Sequence, residues 1–600
     1  MLIAAGVFAA VVLAAAPAPG QSPLPSYDQT IVVTAAATPI ELGSSTRLVT
    51  VITREEIEAL PARSVADVLR LAASVDVRAR GEHGVQSDFA IRGASFGQML
   101  VLVDGVRLND AQSGHHNGDI PVPLDAVDRI EILYGPGSSL FGADAFGGTV
   151  NVITRRTVST PSLSVQGGSF EYAASHGDLG FERGNVRQTI AGFAERSSGF
   201  MYDRDFRSAG VQARTTIGRS SVSLAVLDKE FGANNFYGGS RPSREWTNQT
   251  LLSADRAFGS LSGWSLATRA SYRTHADHFI FDQLNPALSN NRHRTHEVLG
   301  ALTASRSVGA NASFAAGAEG GGNWIRSSNL GDHDLGRLSG FAEWRQTLPS
   351  RTQVEASLRA DHYSEFGTSW NPAVGAGWWP ASRLRLRASA GRAFRVPTFT
   401  ERYYSDPANL ARPDVGPETA WAGEGGADVF PANGWMLQAT LFGRADRNVI
   451  DWLRATPLER WRTYNVRAVS TKGIELTARH TFAGGAFAQV GYTGLDLDAA
   501  AVNQLSKYLL DYAPRSLTAS GLAAVGGGVR VAPRMEYRRR TRSSGTSQYV
   551  VLDVRVARRL GSMLDLFVDG TNLLDRRYQE IAGVDMPGAA MTVSLSVQKR

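Results

Sequence analysis

Six hundred residues with no cysteine, 62 glycines, 43% hydrophobic and 20% charged residues are too many for one ordinary domain and too apolar for disorder. The lack of cysteine excludes disulfide scaffolds and thiolate metal sites. The net charge of +6 is a small surplus of 62 basic over 56 acidic residues. The basic residues, all but four of them arginine, are scattered along the chain instead of forming the clustered face that nucleic-acid binding requires, so no nucleic-acid partner is expected. Past residue 16 no apolar run approaches the ~20 residues that a membrane-crossing helix needs. Two classes survive: a large soluble multidomain protein, and a transmembrane β-barrel whose strands hide their apolar half by alternation.

In chain order, MLIAAGVFAAVVLAAA followed by small residues reads as a secretory signal peptide over 1–20, with the mature chain starting at Gln21. Residues 21–46 form a leading segment. Within it DQTIVVTA (Asp28–Ala35) is rich in β-branched residues, so it could add as a strand to the sheet edge of another protein, or could be the first strand of the following domain. Residues 47–155 read as a compact α+β domain. LVTVI (Leu48–Ile52) is a strand, Thr53 and Glu56 form a capping box for a helix bearing Ile57 and Leu60, and Pro61 stops that helix. Ser64 and Asp67 cap a second helix, SVADVLRLAA. A strand at Phe89–Arg92 precedes MLVLVDGVRL, where Asp104-Gly105 between two apolar runs predicts a tight hairpin. Further strands are expected at Arg129–Leu133 and Thr149–Thr154.

From residue 156 to 600 the dominant pattern is alternation. In RLRLRASAGR, Leu384, Leu386, Ala388 and Ala390 alternate with Arg383, Arg385, Arg387 and Ser389. YVVLDVRVAR, VEASLRAD and MTVSLSVQ repeat the theme, and so long an alternating stretch with so little helix exceeds what a sandwich uses. A wide barrel with a polar lumen accounts for the arginines. Trp344, Trp370, Trp378, Trp379 and Tyr403 are candidates for an interfacial aromatic girdle.

AIRGAS (90–95), MLVLVDGVRLND (99–110) and DRIEILYGPGSSLFGADAFGGTVNVIT (128–154) resemble the plug domain of TonB-dependent outer-membrane receptors. GRAFRVPTFTERYY (391–404), PETAWAGEGG (417–426), TKGIELTAR (471–479) and NLLDRRYQ (572–579) resemble that family's barrel motifs. FGANNFY and HADHFIFDQLNPALSNNRHRTHE resemble its cobalamin-receptor-like branch. The resemblance implies a mainly β fold in the outer membrane of a Gram-negative envelope: a 22-stranded antiparallel transmembrane β-barrel (156–600) with the α+β plug (47–155) in its lumen. It also implies a monomer among outer-membrane lipid, inserted by the barrel assembly machinery, although the terminal VQKR departs from the aromatic on which members usually end.

On the same resemblance, Asp28, Gln29, Thr30, Ile31, Val32, Val33, Thr34 and Ala35 match the TonB box, which docks on TonB and its inner-membrane energising complex. Arg92 matches a plug arginine that pairs with two barrel glutamates, here Glu424 and Glu475, as a plug–barrel lock; unrelated lumen charges are the alternative. A second plug arginine of the family is replaced by Tyr134, which leaves one carboxylate to be balanced by another arginine or by a raised pKa. The loop Asn109–Asp119 is expected on the apical plug surface, with Asn109, Asp110, Gln112, His115, His116 and Asn117 placed to hydrogen-bond a bulky polar chelate, unless it is merely solvated.

No metal site and no cofactor are expected. His115 and His116 diverge as neighbours, a spacing of three puts His275/His278 and His293/His296 on opposite strand faces, and Asp203 with Asp205 falls short of a calcium shell. No nucleophile elbow, metalloprotease or phosphate-loop motif is present, so no enzyme is expected. The function implied is energised uptake of a scarce metal chelate, a ferric siderophore or cobalamin. The alternatives are uptake of another bulky nutrient and a passive porin-type channel, and a porin has no use for a plug.

Overall fold

The computed structural model describes residues 32–34, 36–158, 160–499, 504–543 and 545–598. Residues 1–20, where a signal peptide is expected, and Asp28–Ile31 and Ala35 of the expected docking segment lie outside the described residues. The plug is built on a five-stranded sheet in the order Val49–Thr53, Val127–Tyr134, Gly148–Thr154, Met99–Val103, Val106–Arg107, beside a two-stranded pair of Val75–Ala79 and Ser87–Ile91. Met99–Val103 runs parallel to Gly148–Thr154 and is buried along its whole length, which explains the unbroken apolar run MLVLV. Val68, Leu69, Val101, Ile130, Ile132, Val150 and Val152 form the center of the core with essentially no exposure.

The capping boxes at Thr53/Glu56 and Ser64/Asp67 start helices Arg54–Ala59 and Val65–Leu69. The second helix is shorter than its apolar pattern predicts. Leu71 and Ala72 donate to the carbonyls of Val68 and Leu69, three residues back, so the last turn tightens and closes the helix at Arg70. Arg70 is thereby turned outward to the connection 572–589 of the barrel, where it meets Glu580. The strand Val75–Ala79 carries Asp and Arg between its apolar residues and is absent from the sequence-based expectation. Glycine is required at Gly147, where a Cβ would lie 2.5 Å from the Ala94 Cβ and 2.9 Å from the Ile91 carbonyl oxygen.

Among the described residues 22 strands cross the barrel, from Ser162–Gly168 to Ala590–Gln598, and these two pair antiparallel to close it. Two-residue pieces at Asn409–Leu410 and Leu505–Ser506 attach to the rim in loops. Connections are short at one end, as at 184–185, and long at the other, as at 396–417. That is the asymmetry of an outer-membrane barrel with periplasmic turns and extracellular loops. The wall is inside-out relative to a soluble core. Leu163, Val165, Leu595 and Val597 on the closing strands are exposed on the outer, lipid-facing side, whereas Arg214, Arg273, Arg359, Arg395, Arg538 and Arg540 are fully buried against the plug. Arg385 and Arg387 of RLRLRASAGR accordingly face inward, paired with Asp428.

The aromatic girdle is corrected in part. Trp344, Trp370 and Trp378 face outward and are exposed, as an interfacial position requires. Trp379 instead donates its indole N–H to the Gly43 carbonyl at 3.4 Å, and Tyr403 sits on the short loop helix Phe399–Tyr403, stacked on His333 at 3.7 Å. Both rings are occupied by protein contacts that a one-dimensional pattern does not carry.

Candidate functional site

The plug fills the lumen and is tied to the wall by buried polar contacts at several heights. Arg92 follows the strand Ser87–Ile91 and takes a positive φ of 52°, which turns its side chain out of the plug sheet. Its Nη1 donates to Glu424 Oε2 at 2.6 Å, while Nε and Nη2 donate to the two oxygens of Glu475 at 2.9 and 2.5 Å. The two glutamates project from strands Glu418–Val429 and Trp461–Thr481, on either side of the strand carrying Phe442, whose ring lies 4.5 Å from the guanidinium. Burial alone would push the Arg92 guanidinium down, but Glu475 and Glu424 outweigh it and hold it above the ordinary arginine range.

Tyr134 stands where a second plug arginine was expected, and its ring lies 5.3 Å from the Arg92 guanidinium. The second cation comes from the wall: Arg387 Nη1 is 3.6 Å from Glu424 Oε1, and the Leu48 backbone N–H donates to that same oxygen at 2.8 Å. Of the two ways to balance the extra carboxylate, the structure uses another arginine.

Several plug–wall ties escaped the sequence reading. Arg70 forms a two-pronged pair with Glu580 at 2.7 and 2.9 Å, and Glu580 also accepts the Ala79 backbone N–H at 2.6 Å. Asp76 meets Arg538 and Arg540, Asp104 meets Arg214, and Arg47 Nε lies 3.3 Å from Glu355. The alternate arginines of YRRRTR were the available signal: positions 538 and 540 share the lumen face, where buried guanidiniums call for carboxylate partners, found in Glu536 and Asp511 of the barrel as well as Asp76 of the plug.

The loop Asn109–Asp119 departs most from expectation. Asn109, Asp110, Gln112, His116 and Asn117 are buried rather than presented to the medium. Asn109 bridges the Val101 N–H and the Met99 carbonyl, both at 2.9 Å, inside the plug. Asp110 accepts from Arg273 at 2.7 Å and Thr295 at 2.9 Å, and Gln112 donates to Asp277 at 2.8 Å. Asn117 accepts the Asp110 N–H at 3.0 Å. His115, the one half-buried member of the set, stacks on Phe96 at 4.2 Å and contacts Asp88 at 2.8 Å through Nδ1. Asn109 and Asn117 are satisfied within the plug, while Asp110, Gln112 and Asp119 find partners on the facing wall in Arg273, Asp277, Lys229 and His275. The Asp88 carboxyl, raised by burial but lowered more strongly by Arg80 and His115, is held at about 2.

At the short-turn end, Val32–Val33 pairs antiparallel with Ile40–Glu41. Thr34 is pinned to the plug: its N–H and Oγ1 donate to Glu131 Oε2 at 2.8 and 2.5 Å, and Asn151 donates to Oγ1 at 2.8 Å. Of the two carboxylates considered for calcium, Asp205 is occupied by Arg244 at 2.8 Å.

The family model "TonB dependent receptor-like, beta-barrel" matches residues 180–573, and "TonB-dependent Receptor Plug Domain" matches 41–149. The chain is 26% identical over 479 residues to the Vitamin B12 transporter BtuB of Photobacterium profundum, covering 72% of each sequence. Among solved structures it is similar to the siderophore receptor PirA from Pseudomonas aeruginosa, at 17% identity and a TM-score of 0.73, covering 92% of this chain and 99% of that one. It is also similar to PiuA from Acinetobacter baumannii, at 15% identity and a TM-score of 0.76, covering 96% and 99%.

Proposed function

The chain belongs to the TonB-dependent receptors of Gram-negative outer membranes, a family of ligand-uptake receptors rather than an enzyme class, and on that premise we propose that it imports a bulky metal chelate by an energised mechanism. The observation that carries this reading is the seated plug. A lumen filled by a domain held through Arg92, Glu424 and Glu475 and by further buried pairs has no passive route, which disfavours a porin. Work must be supplied from the periplasmic side, and Val32–Thr34 of the proposed docking segment lie at the short-turn end, where TonB can reach them. In this reading the Arg92 cluster is the plug–barrel lock.

For the cargo we favor cobalamin over a ferric siderophore, because the sequence relative named above is a vitamin B12 transporter while the siderophore receptors support the fold alone. With the loop Asn109–Asp119 buried, first contact with cargo falls to the long loops. The test is uptake of labelled cobalamin and of a panel of ferric siderophores by whole cells, alongside binding to isolated outer membranes. Replacing Ile31 or Val32 by proline should abolish uptake and leave binding intact, because proline removes a donor from the docking strand. Normal uptake by both variants would remove the docking assignment, and failure of every chelate to bind would remove the cargo class.

A further inference from the structure

The two histidines that the sequence pattern separates, His116 of the plug loop and His275 of the wall, are brought together by the fold, with ring centroids 4.5 Å apart. Asp119 lies between them. His275 Nε2 is 3.1 Å and His116 Nδ1 is 3.8 Å from Asp119 Oδ2, and the three ligand atoms lie within 4.8 Å of one another. Donors on a tetrahedral ion with bonds of 2.0–2.1 Å are about 3.3 Å apart, so this spacing closes around an ion with small side-chain adjustments. All three residues are buried, His275 completely.

Two further observations point to a cation. Each imidazole has a carboxylate beyond its far nitrogen: Asp277 Oδ2 lies 3.5 Å from His116 Nε2, and Asp110 Oδ2 lies 3.3 Å from His275 Nδ1. A carboxylate in that position, once hydrogen-bonded, fixes the tautomer of a metal-binding histidine and raises its basicity; Asp110 approaches His275 Nδ1 without a formed hydrogen bond. The cluster also holds polar atoms without hydrogen-bond partners among the described residues, namely His275 Nδ1, Asp277 Oδ1 and Glu245 Oε1. Lys229 pairs with Asp119 and Arg273 with Asp110, whereas no lysine or arginine of the described residues stands within ion-pair distance of Asp277 or Glu245. Among the described residues Asp277 therefore faces no fixed cation and is matched only by His116.

We propose that His116, Asp119 and His275 bind one divalent transition-metal ion of zinc-like preference, bridging the plug to the barrel wall. Two imidazoles and a carboxylate suit zinc, cobalt or nickel better than calcium or magnesium. Asp277 and Asp110 act as positioning residues. The bridge is separate from the imported cargo and does not depend on its identity.

The experiment uses the full-length receptor in detergent, stripped with chelator. Zn2+ is titrated by calorimetry, and Co2+ by its visible ligand-field absorption. The expected result is one saturable equivalent, with Zn2+ displacing Co2+ and quenching its spectrum. His116→Gln and His275→Gln should each weaken binding by about a hundredfold or more, and Asp277→Asn by about tenfold. His278→Ala, on the outer face of the same strand, should leave affinity unchanged. Absence of saturable binding by the wild-type protein would overturn the proposal, as would equal affinity in the wild type and the assembled histidine variants. Should those variants fail to assemble, the wild-type cobalt spectrum and Asp277→Asn decide: a spectrum without nitrogen ligation, or an unweakened Asp277→Asn, overturns it equally.

Discussion

The Arg92 cluster in mid-barrel and the loop Asn109–Asp119 nearer the long-loop end both tie plug to wall, yet they are made of different materials. The first is built from permanent charges: every donor of Arg92 named above ends on a carboxylate oxygen, and Glu424 accepts a backbone N–H and stands within ion-pair distance of Arg387 Nη1, the one atom of the cluster without a hydrogen bond among the described residues. The upper seam is built from His115, His116 and His275 with Asp88, Asp110, Asp119 and Asp277, and it leaves polar atoms unmatched. Near its rim Glu82, raised by burial against the opposing pull of Arg63 and Arg204, sits at about 7. A cluster of guanidinium and carboxylate groups resists changes of pH, whereas one that includes histidines responds to them. The two seams are therefore expected to differ in how they answer pH and ions.

The largest effect that would break this comparison is expected from Arg92→Glu, which sets a third carboxylate beside Glu424 and Glu475. Removing one partner of a buried pair costs about 3–5 kcal/mol, and reversing its charge adds repulsion. Channel conductance in planar bilayers and sensitivity of cells to large antibiotics should both rise. A barrel as tight as wild type would show that the remaining ties suffice and that the cluster is not the lock.

Changing Gln112, His115, His116 and Asn117 together to alanine should come next. Had these residues been solvent-exposed, stability would move by less than about 0.5 kcal/mol. Buried as they are, each lost hydrogen bond costs about 0.5–1.5 kcal/mol, and partners such as Asp277 are left unsatisfied. Limited proteolysis of the plug should accelerate while heat-modifiable barrel migration on gels stays unchanged. Unaltered protection would return the loop to the solvent.

Glu82 gives a smaller and pH-dependent effect. Its folded pKa lies above its ordinary 4.5, so the native state holds the proton more tightly than the unfolded chain, and its contribution falls as pH rises from about 4.5 to about 7. Glu82→Gln should therefore protect the plug from protease more than wild type does at pH 8, by up to about 3 kcal/mol, and differ little at pH 4. The Arg92 variants should show no such crossover, and a pH-independent gain would place the Glu82 effect in packing.

Much of this architecture was legible in sequence because it rests on local rules: capping boxes at Thr53 and Ser64, the Asp104-Gly105 hairpin, and alternation along the wall. Arg92, Glu424 and Glu475 could be named because each sits in a motif with a family counterpart. The burial of Asn109–Asp119 could not be read, because it depends on which wall residues face the loop, and Lys229, Arg273 and Asp277 lie more than a hundred residues away from it. The meeting of His116 with His275 was hidden for the same reason: spacing rules correctly deny His275 a partner on its own strand but say nothing about the domain inserted opposite it.

The smallest effect concerns Thr34, the last residue of the proposed docking segment whose contacts are described. Thr34→Val keeps the β-branched shape and the backbone N–H bond to Glu131 but deletes the hydroxyl that donates to Glu131 and accepts from Asn151. Two part-buried bonds at about 0.5–1.5 kcal/mol each, less the burial gained by the new methyl, leave about 1 kcal/mol, which is about a fivefold shift toward release of the segment. The chain has no cysteine, so Val33→Cys gives a single site for a nitroxide label whose mobile and immobile fractions can be read by electron paramagnetic resonance. The mobile fraction should rise in Thr34→Val with the label in place, affinity for purified TonB should rise modestly, and cargo uptake should persist, because the docking strand itself is unchanged. An Arg92→Ala background should leave the label's spectrum as it was if the mid-barrel cluster and the Thr34 anchor are separate holds. A spectrum that follows Arg92 and ignores Thr34 would mean that the anchor is passive and that release of the segment is governed from the center of the barrel.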